Sequence, residues 1–366
     1  MATAVGRGWA ARLGPATAGL AALVATREVV ARVREADLAG QVVAITGGSR
    51  GLGLELARRF GAEGCQVAIC ARDADELERA RALLAGDGVQ ALTVTADIAA
   101  RADCERFIAE VTERFGRVDV LVNNAGFIAV GPVESTEHED YEHAMGVMYF
   151  GVLYPTLAVL PQMRARRSGR IVNVTSVGGK VSTPHLVPYC AAKFAAVGLS
   201  EGLHAELAND GITVTTICPG ELRTGSYLHA SFSGDQEAEY RWFALGASQP
   251  WVTSADRAAR IIVRATKRGE AERTFPWTVD LGARLAHLAP VTTARVMRMV
   301  DRRLPKGDQK ATDPGQAVER RLRPEQFDAA KAAERTDVPR RNQLPGPLTN
   351  PFPPHAAEEE SRGGIS

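Results

Sequence analysis

The stretch VVAITGGSRGLGLELARRF, residues 42–60, decides the fold. Its first five residues are β-branched or apolar without alternation, the pattern of a strand covered on both faces. The run passes directly into TGGSRGLG (46–53) and then into a helical pattern. Glycines at 47, 51 and 53 permit a tight turn and let the backbone approach a pyrophosphate. The N-terminus of the following helix favours that anion through its free N–H groups and its dipole. A glycine-rich turn alone is a weak signal. Between the first strand and first helix of an α/β unit it is a strong one, although the spacing here is Gly-x-x-x-Gly-x-Gly.

Outward from this stretch, short β-branched runs alternate with longer helical patterns as far as about Phe275. The strands predicted are 42–46, 66–70, 91–95, 118–123, 170–176 and 212–218. The helical patterns between them include DELERARALLA, CERFIAEVTERFG and a long run beginning YEHAMGVMYFGV. Repeated strand–helix units require right-handed crossovers, so the fold expected is α/β: a doubly wound parallel sheet of the Rossmann type with helices on both faces. Residues 40–276 form this domain. Leu281, Leu285 and Leu288, then Val296, Met299 and Val300 past Pro290, predict an amphipathic helical extension over 277–304. Proline and charge dominate 305–366, which reads as a disordered tail. Residues 1–39 read as a helical segment that packs on the domain or lies on a membrane surface, with a weak signal segment as the other reading.

The chain has 366 residues, 45% hydrophobic, with 44 basic against 43 acidic side chains. That balance gives no reason to expect nucleic acid as a partner. Cys65, Cys70, Cys104, Cys190 and Cys218 form no CxxC and no Cys/His cluster, so no metal site is expected. They read as reduced thiols of a cytoplasmic protein. No stretch approaches the roughly 20 apolar residues of a membrane-spanning helix. Contact with a membrane surface would come from the first forty residues and the basic helices at 277–304.

Residues 185–198, HLVPYCAAKFAAVG, place Tyr189 and Lys193 one turn apart on an otherwise apolar helix. A buried ammonium is costly unless something compensates its charge, so either the pair is a structural accident at a surface or this helix borders a cavity where both groups are used. For the cofactor, Ala71 and Arg72 follow the second strand where a ribose-binding acid would select NAD, and Arg50 already lies in the glycine loop. Two guanidinium groups suit a 2′-phosphate, which favours NADP over NAD. Asp73 could instead be an NAD-type acid, but with Glu76 it resembles a capping box of the next helix.

Taken together, TGGSRGLG, NNAG (123–126), Ser176, Tyr189-x-x-x-Lys193 and PG (219–220) with Thr224, in this order, resemble the short-chain dehydrogenase/reductase family over residues 40 to about 276. The resemblance implies an NAD(P)-dependent oxidoreductase. Tyr189 would be the general acid or base, and Lys193 would lower its pKa from about 10 and hold the nicotinamide ribose. Ser176 would stabilise the substrate oxygen. It further implies cofactor contacts from Gly47, Ser49, Arg50, Gly51, Leu52, Gly53, Arg72, Asp97, Ile98, Asn124, Ala125, Gly126, Pro219, Gly220, Leu222 and Thr224, besides Tyr189 and Lys193. Asp97 could equally cap a turn, Asn123 would mainly tie strands together, and His185 reads as an ordinary loop histidine. Relatives commonly form homo-oligomers. One departure stands out: Met148 occupies the position of the family's helix asparagine, which shapes a local helix distortion and holds a water beside the lysine. A thioether cannot do this, so a cofactor-binding sensor or scaffold without catalysis is the alternative. The segment after PG, with Leu222, Tyr227, Leu228, Phe232, Trp242, Phe243 and Trp251, is either a lid over a small hydrophobic alcohol or carbonyl substrate or packs on itself or a partner subunit.

Overall fold

The computed structural model describes residues 35–247, 252–322 and 341–342. Along the chain run β1 (Val42–Thr46), α1 (Gly51–Ala62), β2 (Gln66–Ala71), α2 (Ala74–Gly86), β3 (Ala91–Thr95), α3 (Arg101–Phe115) and β4 (Val120–Asn123). After a short strand, β5 (Ala129–Val130), come α4 (His138–Met145), a π turn (Gly146–Phe150) and α5 (Gly151–Arg166). They are followed by β6 (Gly169–Val174), α6 (Val187–Leu207) and β7 (Ile212–Pro219).

β1 is buried at every position, as its uninterrupted apolar run requires. The main sheet is parallel throughout, in the order β11 (Glu272–Phe275)-β7-β6-β4-β1-β2-β3. The order reverses beside β1, which opens a crevice at the carboxyl ends of β1 and β4. Leu54, Phe60, Leu77 and Leu84 from α1 and α2 join Ile262 and Val263 to form the core on one face. Phe107, Ile108, Met163, Ala192 and Leu207 form it on the other. In α2, Leu77, Ala80 and Leu84 recur at one-turn spacing and are buried, while Asp75 and Glu78 face solvent. Phe60 is fully enclosed, and its truncation to alanine would cost about 3–5 kcal/mol.

Beyond β7 lie β8 (Leu222–Arg223), β9 (Ser231–Phe232), α7 (Gln236–Ala247), β10 (Thr253–Ser254) and α8 (Ala255–Arg268). A seventh main strand, β11 (Glu272–Phe275), then pairs with β7 at the edge of the sheet. Its sequence, ERTF, is too polar to announce a strand, and only the edge position tolerates it. The expected extension is present as α9 (Trp277–Leu288) and α10 (Pro290–Asp301), broken where Pro290 takes the first helical position. Among their residues only Ala283 is buried. Trp277 is 74% exposed and Leu288 81%.

Within the stretch read as a largely disordered tail, residues 305–322 are placed against the domain. β12 (Asp313–Pro314) pairs with β9, and α11 (Gly315–Arg321) follows, with Val318 buried. Backbone pairing and one small apolar face anchor a segment whose composition suggested neither. Predictions for residues 1–34, Trp251 and the remaining tail, apart from Arg341 and Asn342, lie outside the described residues. The helical run His138–Arg166 is long and apolar enough to cross a membrane by length and composition, contrary to expectation, but half of its apolar window is buried in the protein. It is read as a core helix, covering one face of the sheet.

Candidate active site

The glycine loop is built for backbone approach. Gly47 has φ +64°, and a Cβ there would lie 2.7 Å from Ala125 Cα. At Gly53 a Cβ would collide with the Gly47 carbonyl and the Asn124 amide. Only glycine leaves this cradle open, and its shape fits a pyrophosphate at the N-terminus of α1. Asn124 clasps the loop, its Nδ2 donating to the carbonyls of Thr46 and Gly47, each at 3.1 Å. Asn123 ties β4 to its neighbours, as the resemblance implied: its Nδ2 donates to Asn173 Oδ1 at 2.9 Å and Thr156 Oγ1 at 3.1 Å.

Ser176 follows β6, where its Oγ accepts from Gly178 N–H at 3.0 Å and is hydrogen-bonded to the Tyr189 phenol. Two glycines outside the recognised motifs let this turn press against α6. A Cβ at Gly178 would sit 3.0 Å from Tyr189 Cε1, and one at Gly179 would sit 2.7 Å from the Lys193 carbonyl. The VGG that follows Ser176 was the available signal. Lys193 is 5% exposed. Its Nζ donates to the Val174 carbonyl at 3.1 Å and lies 5.8 Å from the Tyr189 ring centroid.

Burial governs both titrations. It pushes the Tyr189 phenol above its ordinary value, against the opposing hydrogen bond from Ser176. It brings the Lys193 ammonium down to about 8. In the protein itself desolvation dominates the phenol, and the influence that opposes it is Ser176 rather than the expected Lys193.

Met148 is fully buried in the π turn. A Cβ placed on Gly126 would meet Lys193 Nζ at 3.5 Å and Met148 Sδ at 3.9 Å, so thioether and ammonium flank one point. The helix distortion expected to depend on the asparagine forms here without it.

At the adenosine end, Asp73 caps α2 by accepting from Glu76 N–H at 2.8 Å. The Glu76 carboxylate does not complete the box. It turns into the glycine loop, accepting from the Ser49 hydroxyl and from Arg50 Nη1, the latter at 2.6 Å. Arg50 is thus engaged, whereas exposed Arg72 has no carboxylate partner among the described residues. Arg79, missed in the sequence, also borders the site, and its Nε donates to Asn342 Oδ1 at 3.2 Å. Asn342 Nδ2 in turn donates to the carbonyls of Ser49 and Glu76, at 2.9 and 2.8 Å. Asp97 caps a turn through Ala99 N–H at 3.0 Å and also faces the site.

One cavity of about 840 Å³ gathers most of these groups, though Asn123, Met148 and Asn342 do not border it. Ser49, Arg50, Gly51, Leu52, Arg72, Ile98, Ala125, Gly126, Pro219, Gly220, Leu222 and Thr224 border it, with Ser176, Tyr189 and Lys193. Phe127, Glu221, Pro314 and Gln316 join them with no motif to announce their part. His185 does not border the cavity. It is buried, with Nδ1 at 2.7 Å from Glu239 Oε1, and fastens the loop before α6 to α7. Tyr227, Phe232 and Tyr240 pack edge-to-face on one another, so the lid's aromatic residues mostly fill its own core. Trp242 and Phe243 reach the cavity.

A family model described as short chain dehydrogenase matches residues 41–230. An Anopheles gambiae protein, "Dehydrogenase/reductase SDR family protein 7-like", is 35% identical over 71% of this chain and 83% of its own. A crystal structure of a single-substitution variant of actinorhodin polyketide ketoreductase with NADPH is 32% identical with a TM-score of 0.58, over 64% of this chain and 95% of that one. A Burkholderia phymatum short chain dehydrogenase/reductase in complex with NAD is 25% identical with a TM-score of 0.65, over 70% and 96%. The chain belongs to the short-chain dehydrogenase/reductase family and is an NAD(P)-dependent oxidoreductase acting on carbonyl or alcohol groups.

Proposed function

We propose that this enzyme interconverts a hydrophobic carbonyl compound and its alcohol with NADP as the preferred cofactor. The observation that carries this is the meeting of Ser176, Tyr189 and Lys193 at one end of a cavity whose other end is the glycine cradle. The nicotinamide cofactor supplies or accepts the hydride when bound. Tyr189 gives the proton to the substrate oxygen in reduction, or takes it in oxidation. Ser176, already bonded to the phenol, stabilises charge on that oxygen. Lys193 holds a positive charge beside the phenol and favours its ionised form. Arg72, just past β2 and without a carboxylate partner among the described residues, supports the reading of a 2′-phosphate site, with Arg79 nearby. Trp242, Phe243 and Pro314 support an apolar substrate.

NADPH and NADH consumption with a panel of hydrophobic ketones, with Tyr189→Phe as the blank, tests this reading. Turnover by the wild type alone supports it. Binding of NADPH without turnover in either protein would sink it in favour of a sensor or scaffold, the reading that Met148 favours. Restored turnover in Met148→Asn would then locate the defect.

Peripheral contact with an anionic membrane through α9–α10 is a second part of the proposal. Exposed Trp277, Leu281, Leu285 and Leu288 stand near Arg295, Arg298, Arg302 and Arg303, a combination suited to acidic headgroups. Flotation of the full chain with phosphatidylserine vesicles, lost in a Leu281→Ser/Leu285→Ser variant, would support it. A salt-insensitive dimer without flotation would instead assign the face to a second copy.

A further inference from the structure

The family match ends at residue 230, yet the substrate half of the cavity is completed by a segment more than eighty residues further on. β12 lies antiparallel on β9, with Asp313 opposite Phe232 and Pro314 opposite Ser231. Gly315 N–H donates to the Ala230 carbonyl at 2.8 Å. A Cβ at Gly315 would collide with the Tyr227 carbonyl, so the strap runs backbone against backbone. Arg321 locks it from the far side, through Asp313 at 2.8 Å and Gln236 Oε1 at 2.7 Å. Val318 is buried in the lid cluster.

This anchoring delivers Gln316 to the cavity. The side chain borders it and the residue is 9% exposed. Its amide has no hydrogen-bond partner among the described residues. The amide opens onto the cavity, where a ligand group able to replace its bonds to water would be favoured over one that cannot. Nearby, Trp242, Phe243 and Pro314 present apolar surface to the same cavity. A carboxamide both donates and accepts, so it suits a neutral hydroxyl, carbonyl or amide rather than an ion.

We propose that Gln316 is a specificity-determining residue. In this role it binds a second, uncharged hydrogen-bonding group of the substrate, separated by an apolar body from the carbonyl at Ser176 and Tyr189. This rests on the oxidoreductase reading above for the position of the reacting end. The preferred substrates are then hydroxylated or oxygenated hydrophobic ketones, rather than plain ones.

The test is calorimetric titration of the full chain, saturated with NADP, with methyl ketones of about six to twelve carbons and their terminally hydroxylated counterparts. At least one hydroxylated member should bind about tenfold more tightly than its parent. Gln316→Leu should erase that difference while leaving NADP affinity within about twofold. If the leucine variant does not fold, Gln316→Met carries the same prediction. A preference that survives the substitution, no preference in the wild type, or a loss of NADP affinity instead would each overturn the proposal. NADPH oxidation with the same ketones is read separately. Binding preference without turnover would remove the catalytic assignment and leave the subsite standing.

Discussion

Helix α6 and the pair α9–α10 both carry long apolar stripes, yet the first is sealed against the sheet while the second stands in solvent. In α6 most buried positions are small, among them Cys190, Ala192, Ala196, Val197 and Ser200, and Cys190, Val197 and the Lys193 backbone lie against Gly178 and Gly179 of the turn packed on them. Close approach of backbones leaves room for one long side chain, Lys193, to be enclosed at a functional site. In α9–α10 the apolar residues are large and the buried ones nearly absent. The contrast teaches that an apolar stripe announces a cover without saying which. Residue size along the stripe distinguishes a helix that packs closely within its own domain from one presenting a surface outward.

The comparison can be broken first at the chemistry. Tyr189→Phe should lower kcat by about a thousandfold with the fold intact, measured by NADPH oxidation beside circular dichroism. Unchanged turnover would detach α6 from catalysis. Next comes packing. Ala196→Asp, at a fully enclosed position, should cost more than about 3 kcal/mol in urea denaturation, and a smaller loss would mean that α6 is less tightly sealed than described.

Lys193→Met sharpens the point by separating stability from function. It should abolish turnover and raise stability near pH 7 by about 1–3 kcal/mol, because one pKa unit is worth about 1.4 kcal/mol. The ammonium titrates near 8 in the folded protein against an ordinary value of 10.5. Between these values the unfolded chain binds the extra proton, so wild-type stability rises with pH across that window. The advantage of the methionine variant should therefore shrink from pH 8 upward. A pH-independent advantage would show that the lysine is not held under a desolvation penalty. Smallest of all, Leu285→Asp on the exposed face of α9 should change stability by less than about 0.5 kcal/mol, and a larger loss would reveal an intramolecular cover.

Much of this was legible in the sequence. The run at 42–46 matches its strand, because a strand covered on both faces must be continuously apolar, and 91–95 matches as the sheet-edge strand, where only Val94 is buried. The spacing from TGGSRGLG to Lys193 brought the expected residues to one cavity, because the glycine loop, NNAG and Ser176 sit where strands end and Tyr189 and Lys193 sit in the first two turns of the helix that follows. What escaped was long-range pairing of weakly apolar chain. Glu272–Phe275 became a strand only because β7 offered an edge, and Asp313–Arg321 became ordered only because β9 and the lid cluster were there to receive it. Glu76 looked like half of a capping box, but a salt-bridging arginine in the glycine loop outcompeted the local backbone for its carboxylate.

The clasp of Asn342 on the Ser49 and Glu76 carbonyls has a consequence at the bench. Trimming a gene to its motif-bearing stretch is a common first step toward a well-behaved enzyme, and here composition invites a stop codon near codon 305. Such a gene product would keep every motif and lose both the wall at Gln316 and the donor that bridges the glycine loop to α2. Its cofactor and substrate preferences would be those of a different enzyme, although nothing in its motifs would have changed.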